Sequence, residues 1–191
     1  MKKPLLIASL CCGALLLLFL LLGAPAGRNT PSPPSSPSDE RPAASETRAS
    51  LAVNAPAPEF QLTDIDGKAV SKATFAGKPV IVWFTASYCV PCQIAAKEIK
   101  RLDADMGGKA FNVFMVFVDP NESPDDLRNW KAKYANDDWF IAFGNEQMIK
   151  EYEVRYLDTH RLLDGKGVVR YMANGGVTYE GYKERIQALI Q

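Results

Sequence analysis

The sequence predicts an α/β domain with helices packed on a central sheet, and three observations predict it. From residue 51 onward, strand-like and helix-like segments alternate. Residues 80–86 form a nearly continuous apolar run rich in β-branched and aromatic side chains, as a strand covered on both faces requires. Composition supplies the core: of the 191 residues 47% are hydrophobic and 23% charged, an ordinary globular balance with room for one domain.

Taken in order, residues 60–62 and 69–70 flank Asp66-Gly67, whose glycine accepts the positive φ of a tight turn, so a small opening hairpin is expected. Residues 80–86 follow as the central strand. Residues 111–118 repeat its character, residues 139–143 do so more briefly, and both should join the same sheet. Between them, Ser123-Pro124-Asp125-Asp126 supplies an N-cap, a proline at the first helical position and acidic groups facing the helix dipole, for a helix running to about Tyr134. Asn145 starts a second short helix with Met148, Ile149 and Tyr152 on its core face. Residues 159–163 and 168–171 surround Asp164-Gly165-Lys166-Gly167, a second hairpin whose glycines serve turn geometry and match no phosphate-loop pattern. Tyr179, Tyr182, Ile186 and Leu189 define a closing amphipathic helix, and no internal repeat is present.

Ahead of the domain, Lys2 and Lys3 precede a run without charge over residues 5–24. At about 1.5 Å per residue such a run reaches roughly 30 Å, the hydrocarbon thickness of a bilayer. Its basic end should stay cytoplasmic, which puts the rest of the chain outside. Residues 1–27 read as a membrane anchor or a signal sequence. The run is longer than a usual signal core, whereas Ala24-Pro25-Ala26 has the small-x-small pattern of a peptidase site. Lipidation at Cys11 or Cys12 is a third reading, with bulky Leu10 ahead of the first cysteine and most of the apolar run after the second. Residues 28–50 hold five prolines, six serines and no aromatic side chain, the composition of a disordered linker. The remaining 51–191 form the folded domain, with 17 basic and 19 acidic side chains. That balance lacks the basic footprint of phosphate neutralisation, which argues against nucleic acid as a partner.

Beyond the N-terminal run the only cysteines are Cys89 and Cys92, too few for a disulfide framework. They lie in Tyr88-Cys89-Val90-Pro91-Cys92, between the central strand and a helix-like stretch containing Ile94, Ala95, Ile99, Leu102 and Met106. At a helix N-terminus the unpaired backbone N–H groups and the positive dipole end stabilise an anion, so Cys89 should ionise more readily than a free thiol. The three-residue offset brings the Cys92 sulfur one helical turn below, near enough to resolve a mixed disulfide. Pro91 lacks an N–H where a helix needs none and stiffens the loop, while Val90 tunes the reduction potential. Zinc would need about four ligands, and the domain offers two cysteines and one histidine. A purely structural bridge would close so short a loop that it constrains the unfolded chain little. Redox or thiol-ligand chemistry is the reading that the strand-to-helix junction favours.

The stretch Ala57-Pro58-Glu59-Phe60-Gln61-Leu62, then Asp66-Gly67-Lys68, Gly77-Lys78-Pro79-Val80 and Ala86-Ser87-Tyr88-Cys89-Val90-Pro91-Cys92 resembles the membrane-anchored, extracytoplasmic thioredoxin-like proteins of the TlpA and ResA type. The resemblance covers residues 51–191 and is most specific up to Cys92. It implies a thioredoxin fold: a central mixed sheet with helices on both faces and an N-terminal β-hairpin extension. It also implies thiol-disulfide exchange without a cofactor, with Cys89 as nucleophile, Cys92 as resolving thiol and Tyr88, Val90 and Pro91 supporting the motif. The partners it implies are disulfide-containing exported proteins, as in cytochrome c or copper-site maturation, and a membrane dithiol donor.

Four positions depart from that family's pattern. Tyr88 stands where tryptophan is usual, Ala95 where many members carry glutamate, and Trp83 where thioredoxin carries a buried aspartate. Asp158 falls where the family has a cis-proline, and no proline follows Pro124, so Asp158-Thr159 is the candidate substrate loop in another conformation. A proton acceptor for Cys92 is therefore not identified, since Glu98 would face away from it on a regular helix. His160, the sole histidine, reads as a surface or hydrogen-bonded residue of a strand. Alternatively it joins the two thiols in a copper site, because thiolates and imidazole both bind copper, which would make the chain a metallochaperone.

Overall fold

The structure, a computed structural model, describes residues 51–190. Strands β1 (Gln61–Thr63) and β2 (Ala69–Ser71) pair antiparallel as a two-stranded ribbon. A 3-10 turn (Lys72–Phe75) leads into β3 (Val80–Thr85) and helix α1 (Val90–Asp105). Strand β4 (Asn112–Phe117), helix α2 (Pro124–Tyr134), strand β5 (Phe140–Phe143) and helix α3 (Glu146–Glu151) follow. Strands β6 (Thr159–Leu163) and β7 (Val169–Asn174) and helix α4 (Tyr179–Ile190) complete the domain. The main sheet has the order β5-β4-β3-β6-β7, with β3, β4 and β5 parallel and β6 and β7 antiparallel to their neighbours. This is the thioredoxin-like α/β architecture, with a mixed sheet and an N-terminal two-stranded ribbon.

The central position of β3 explains its composition. All six of its residues are buried, and alternate side chains serve two different cores. Ile81 and Trp83 pack in a cluster with Cys92, Ala96, Ile99 and Leu102 of α1, Leu127 and Trp130 of α2, and Tyr182 and Ile186 of α4. Val80, Val82 and Phe84 point the other way, into a cluster with Met148 of α3, Tyr152 and the N-terminal residues Phe60, Val70 and Phe75. Helices therefore cover both faces.

Local chemistry sets the ends of the elements. Ser123 caps α2, and its backbone N–H donates back to Asp126 Oδ2, the reciprocal pair that the Ser-x-x-acid spacing predicts. Asn145 Oδ1 accepts from the Met148 N–H at the start of α3. In the turn between β6 and β7, Asp164 Oδ1 accepts from the backbone N–H groups of Lys166 and Val168. Gly165 in the same turn meets the opening segment so closely that a Cβ there would lie 2.7 Å from the Gly77 carbonyl carbon, while Gly77 N–H donates to Gly165 O. Only a residue without a side chain allows that approach.

The predicted elements all occur, with ends moved by a residue or two, and β7 extends to Asn174 beyond the predicted Tyr171. The N-terminal apolar run and the linker lie outside the described residues. Among the described residues no helix is long and apolar enough to cross a membrane.

Candidate redox site

Strand β3 ends at Thr85, in register with Phe117 of β4, and Phe84 pairs with Thr159 of β6. The loop leaving β3 and the loop entering β6 therefore lie at one end of the sheet. There Cys89 N–H donates to Ala86 O, turning the chain into α1. Cys89 is the N-cap of α1, its Sγ accepting from the Cys92 N–H at 3.3 Å, with Val90 and Pro91 as the first helical residues. The sequence predicts this placement, because a proline in the first turn forfeits no helical hydrogen bond. Cys89 and Cys92 are joined by a disulfide, with their Cα atoms 5.3 Å apart.

The two sulfurs differ in access. Cys89 is 5% exposed and Cys92 0%, so an incoming disulfide reaches Cys89 first. Around Cys89 the surface is apolar although exposed: Tyr88, Val90 and Ile94 are each about 60% open to solvent. From the loop before β6, Tyr156 adds a further exposed ring at the same sheet end. Large apolar side chains left uncovered around a reactive atom suit contact with another polypeptide.

Residues between β4 and α2 hold the reactive loop from the side. Glu122 Oε1 accepts from the Ser87 N–H at 2.5 Å, and Tyr88 OH donates to Asp119 Oδ2 at 2.8 Å. That hydrogen bond, with burial and the Asp119 charge behind it, raises the Tyr88 pKa, so the phenol stays protonated. Gln93 Nε2 donates to Ser87 O while its Oε1 accepts from Tyr134 OH of α2. These partners lie 31 to 41 residues from the motif, with Gln93 the exception, and nothing local in the sequence marks them.

Beneath the loop, the structure brings two of the four departures, Trp83 and Asp158, into contact. Asp158 has φ of 60°, a left-handed conformation uncommon for a non-glycine residue, and it is buried. Its Oδ1 accepts from Trp83 Nε1 at 3.1 Å and lies 2.8 Å from His160 Nε2. His160 faces Trp83 across the β3–β6 pairing, and the rings stack with centroids 4.5 Å apart. Burial holds the His160 pKa below its ordinary value and outweighs the opposing effects of its hydrogen bond to Asp158 and of the Asp158 charge. The imidazole is therefore hydrogen-bonded, as the sequence allows, and fully buried. Asp158 and Thr159 are buried, and Glu153, Arg155 and Tyr156 are the exposed residues ahead of them. Ala95 is buried, while Glu98 lies 3.9 Å from Arg101 along the outer side of α1.

Among the described residues no group of three His, Cys, Asp or Glu side chains is placed to hold a metal ion.

The chain is 22% identical to the thiol-disulfide oxidoreductase ResA of Geobacillus thermodenitrificans over 142 residues, 74% of this chain and 80% of that protein. A crystal structure of the thiol:disulfide interchange protein DsbE from Chlorobium tepidum superposes with a TM-score of 0.65 at 26% identity, covering 74% of this chain and all of that one. The copper-bound ScoI of Bradyrhizobium japonicum superposes at 0.61 with 23% identity, over 71% of this chain and 99% of that one, a likeness of fold alone. The AhpC/TSA family model matches residues 53–172, across the opening ribbon, the cysteine pair and the β6–β7 hairpin, and the chain belongs to that family.

Proposed function

We propose that this protein is a thiol-disulfide oxidoreductase that works outside the cytoplasm and reduces disulfides of exported proteins. The observation that carries the reading is the Cys89–Cys92 disulfide at the head of α1, with Cys89 slightly open to solvent at 5% and Cys92 at 0%. In the reduced protein the Cys89 thiolate attacks one sulfur of a partner disulfide, and the other partner sulfur leaves as a thiolate. Cys92 then attacks Cys89, the protein disulfide forms, and the partner departs with both sulfurs reduced. The helix N-terminus stabilises the attacking thiolate, and no cofactor takes part.

The reducing direction rests on the resemblance, and the address rests on the sequence. Lys2 and Lys3 ahead of the uncharged run 5–24 support export, with the domain tethered to the membrane or released from it. Partners in cytochrome c or copper-site maturation, and a membrane dithiol donor that returns the pair to the dithiol form, are the classes the resemblance supports. The test uses the full chain. Cys92→Ser should retain partner proteins as mixed disulfides on Cys89, and Cys89→Ser should retain none and lose insulin-disulfide reduction. A Cys92→Ser chain that retains no partner, together with a wild-type chain that leaves insulin intact, contradicts the reading.

A further inference from the structure

The carboxyl ends of the parallel strands β3, β4 and β5 lie side by side, with Thr85, Phe117 and Phe143 in register. In open α/β sheets ligands bind in the crevice outside that end. Here it carries the redox loop leaving β3 and, beside it, a groove of about 560 Å³ between the segments that leave β4 and β5. Phe117, Val118, Phe143 and Ile149 give the groove an apolar floor, while its acidic residues are Asp119, Glu122 and Glu146. No lysine or arginine is among the residues lining it. Two hydrogen bonds join it to the reactive loop, since Tyr88 OH donates to Asp119 Oδ2 and the Ser87 N–H donates to Glu122 Oε1. The exposed ring of Tyr88 thus leads from Cys89 to the edge of the groove.

The negative charge of the groove is not balanced within the domain. Among the described residues Asp119, Glu122 and Glu146 form no ion pair. Hydrogen bonds from the Asn121 N–H, the Tyr88 hydroxyl and the Asn121 side chain lower the Asp119 pKa and keep it ionised. Glu122 Oε2 is buried without a hydrogen-bond partner, which leaves one end of that carboxyl group uncompensated in the groove wall. The three acids do not converge on a point, for among the described residues no group of three such side chains is placed to hold a metal ion. An apolar floor with spaced acids beside it is instead complementary to a long cationic side chain, whose methylenes cover the rings while its head stays among the carboxyl groups. A wholly apolar side chain would strip water from the acids and return no pairing, and an acidic one would be repelled.

We propose that this groove binds a lysine or arginine of the partner protein, close in sequence to the partner cysteine that bonds to Cys89, and so selects disulfides flanked by basic residues. This rests on the exchange reaction proposed above and names the class of substrate it prefers. A partner chain bonded to Cys89 passes over Tyr88. At about 3.3–3.6 Å per extended residue, a side chain two or three positions from the partner cysteine lies about 7–10 Å along, enough to pass the Tyr88 ring. Opposite charges then steer the encounter, so that the basic segment enters the groove as the disulfide meets Cys89. The groove takes no part in the sulfur chemistry, and its residues act on the choice of partner.

The test uses the full chain and three disulfide-bonded peptides that differ only at the residues two and three positions from one cysteine, both lysine, both glutamine or both glutamate. Second-order rates of reduction by the dithiol protein should rank lysine above glutamine above glutamate, with steps of about fivefold, the scale of an exposed charge pair. The ranking should collapse in about 1 M salt, where the screening length is about 3 Å. Glu146→Lys reverses an exposed charge of the groove and should cancel or invert the ranking. The ratio is taken within one protein, so a general loss of activity drops out of it. Equal rates for the three peptides, or a lysine preference that Glu146→Lys leaves intact, overturns the proposal. A second measurement is independent of thiol exchange. The lysine peptide with serine in place of both cysteines, added to the disulfide form, should shift the amide resonances of residues 117–122 and 143–149, and amides that stay unmoved overturn the inference. A chain that shows those shifts yet reduces none of the three peptides would contradict the exchange reaction and leave the groove assignment standing.

Discussion

At the scale of single residues, the site is governed by where hydrogen bonds end. Trp83 replaces a small acid with a large indole deep in the core, and its N–H is satisfied by Asp158, 75 residues away. Trp83→Phe keeps the ring but removes that donor, and it should destabilise the fold by about 1–3 kcal/mol in urea denaturation. Tyr88 is different, because its bond to Asp119 is solvent-exposed. Tyr88→Phe should leave stability within about 0.5 kcal/mol of the wild type, as surface substitutions generally do. The sequence shows that an acid is missing at 83 and 95 and that proline is missing at 158. It does not show that positions 83 and 158 meet, because the meeting depends on the Trp83–His160 register between strands far apart in the chain.

At the scale of elements, what was legible is what is local. The Cys-x-Pro-Cys start of α1, the Ser123 cap of α2 and the Asp164 turn each follow from side chains within four residues of the groups they satisfy. The hold of the β4–α2 segment on the reactive loop is invisible in sequence, since Glu122, Asp119 and Tyr134 reach Ser87, Tyr88 and Gln93 only through the fold. Glu122→Ala leaves the Ser87 N–H without its carboxylate partner. It should lower stability by about 1–3 kcal/mol and loosen the turn ahead of Cys89, read as faster amide exchange over 86–89. Gly165→Ala tests the other end of the sheet. Its methyl group would press on the Gly77 backbone, and an overpacking cost of about 1–3 kcal/mol should appear as an earlier unfolding midpoint.

At the scale of the whole molecule, buried charge chemistry couples folding to pH. The folded His160 pKa lies below the 6.5 of a free imidazole, so the unfolded chain binds this proton more readily. The contribution is fully present above about pH 6.5 and is lost as pH falls from there toward the depressed folded value. Unfolding midpoints should therefore decline over that window in the wild type and flatten in His160→Gln. Carboxylates give a second, more acidic limb. Asp164 is lowered although burial works to raise it, because hydrogen bonds from the Val168 N–H, Arg170 and the Lys166 N–H outweigh that burial. Its stabilisation is lost as pH drops below about 3.9.

The redox pair itself should be nearly neutral for global stability, since it closes so short a loop. Its role is reactive, and reactivity gives the most direct test. Alkylation of the fully reduced wild-type chain, followed against pH with the modified cysteine identified by mass, should show Cys89 reacting first with a midpoint below about 8.5, the value of a free thiol. Alkylation of Cys92 ahead of Cys89, or a Cys89 midpoint at or above the free-thiol value, would contradict the account.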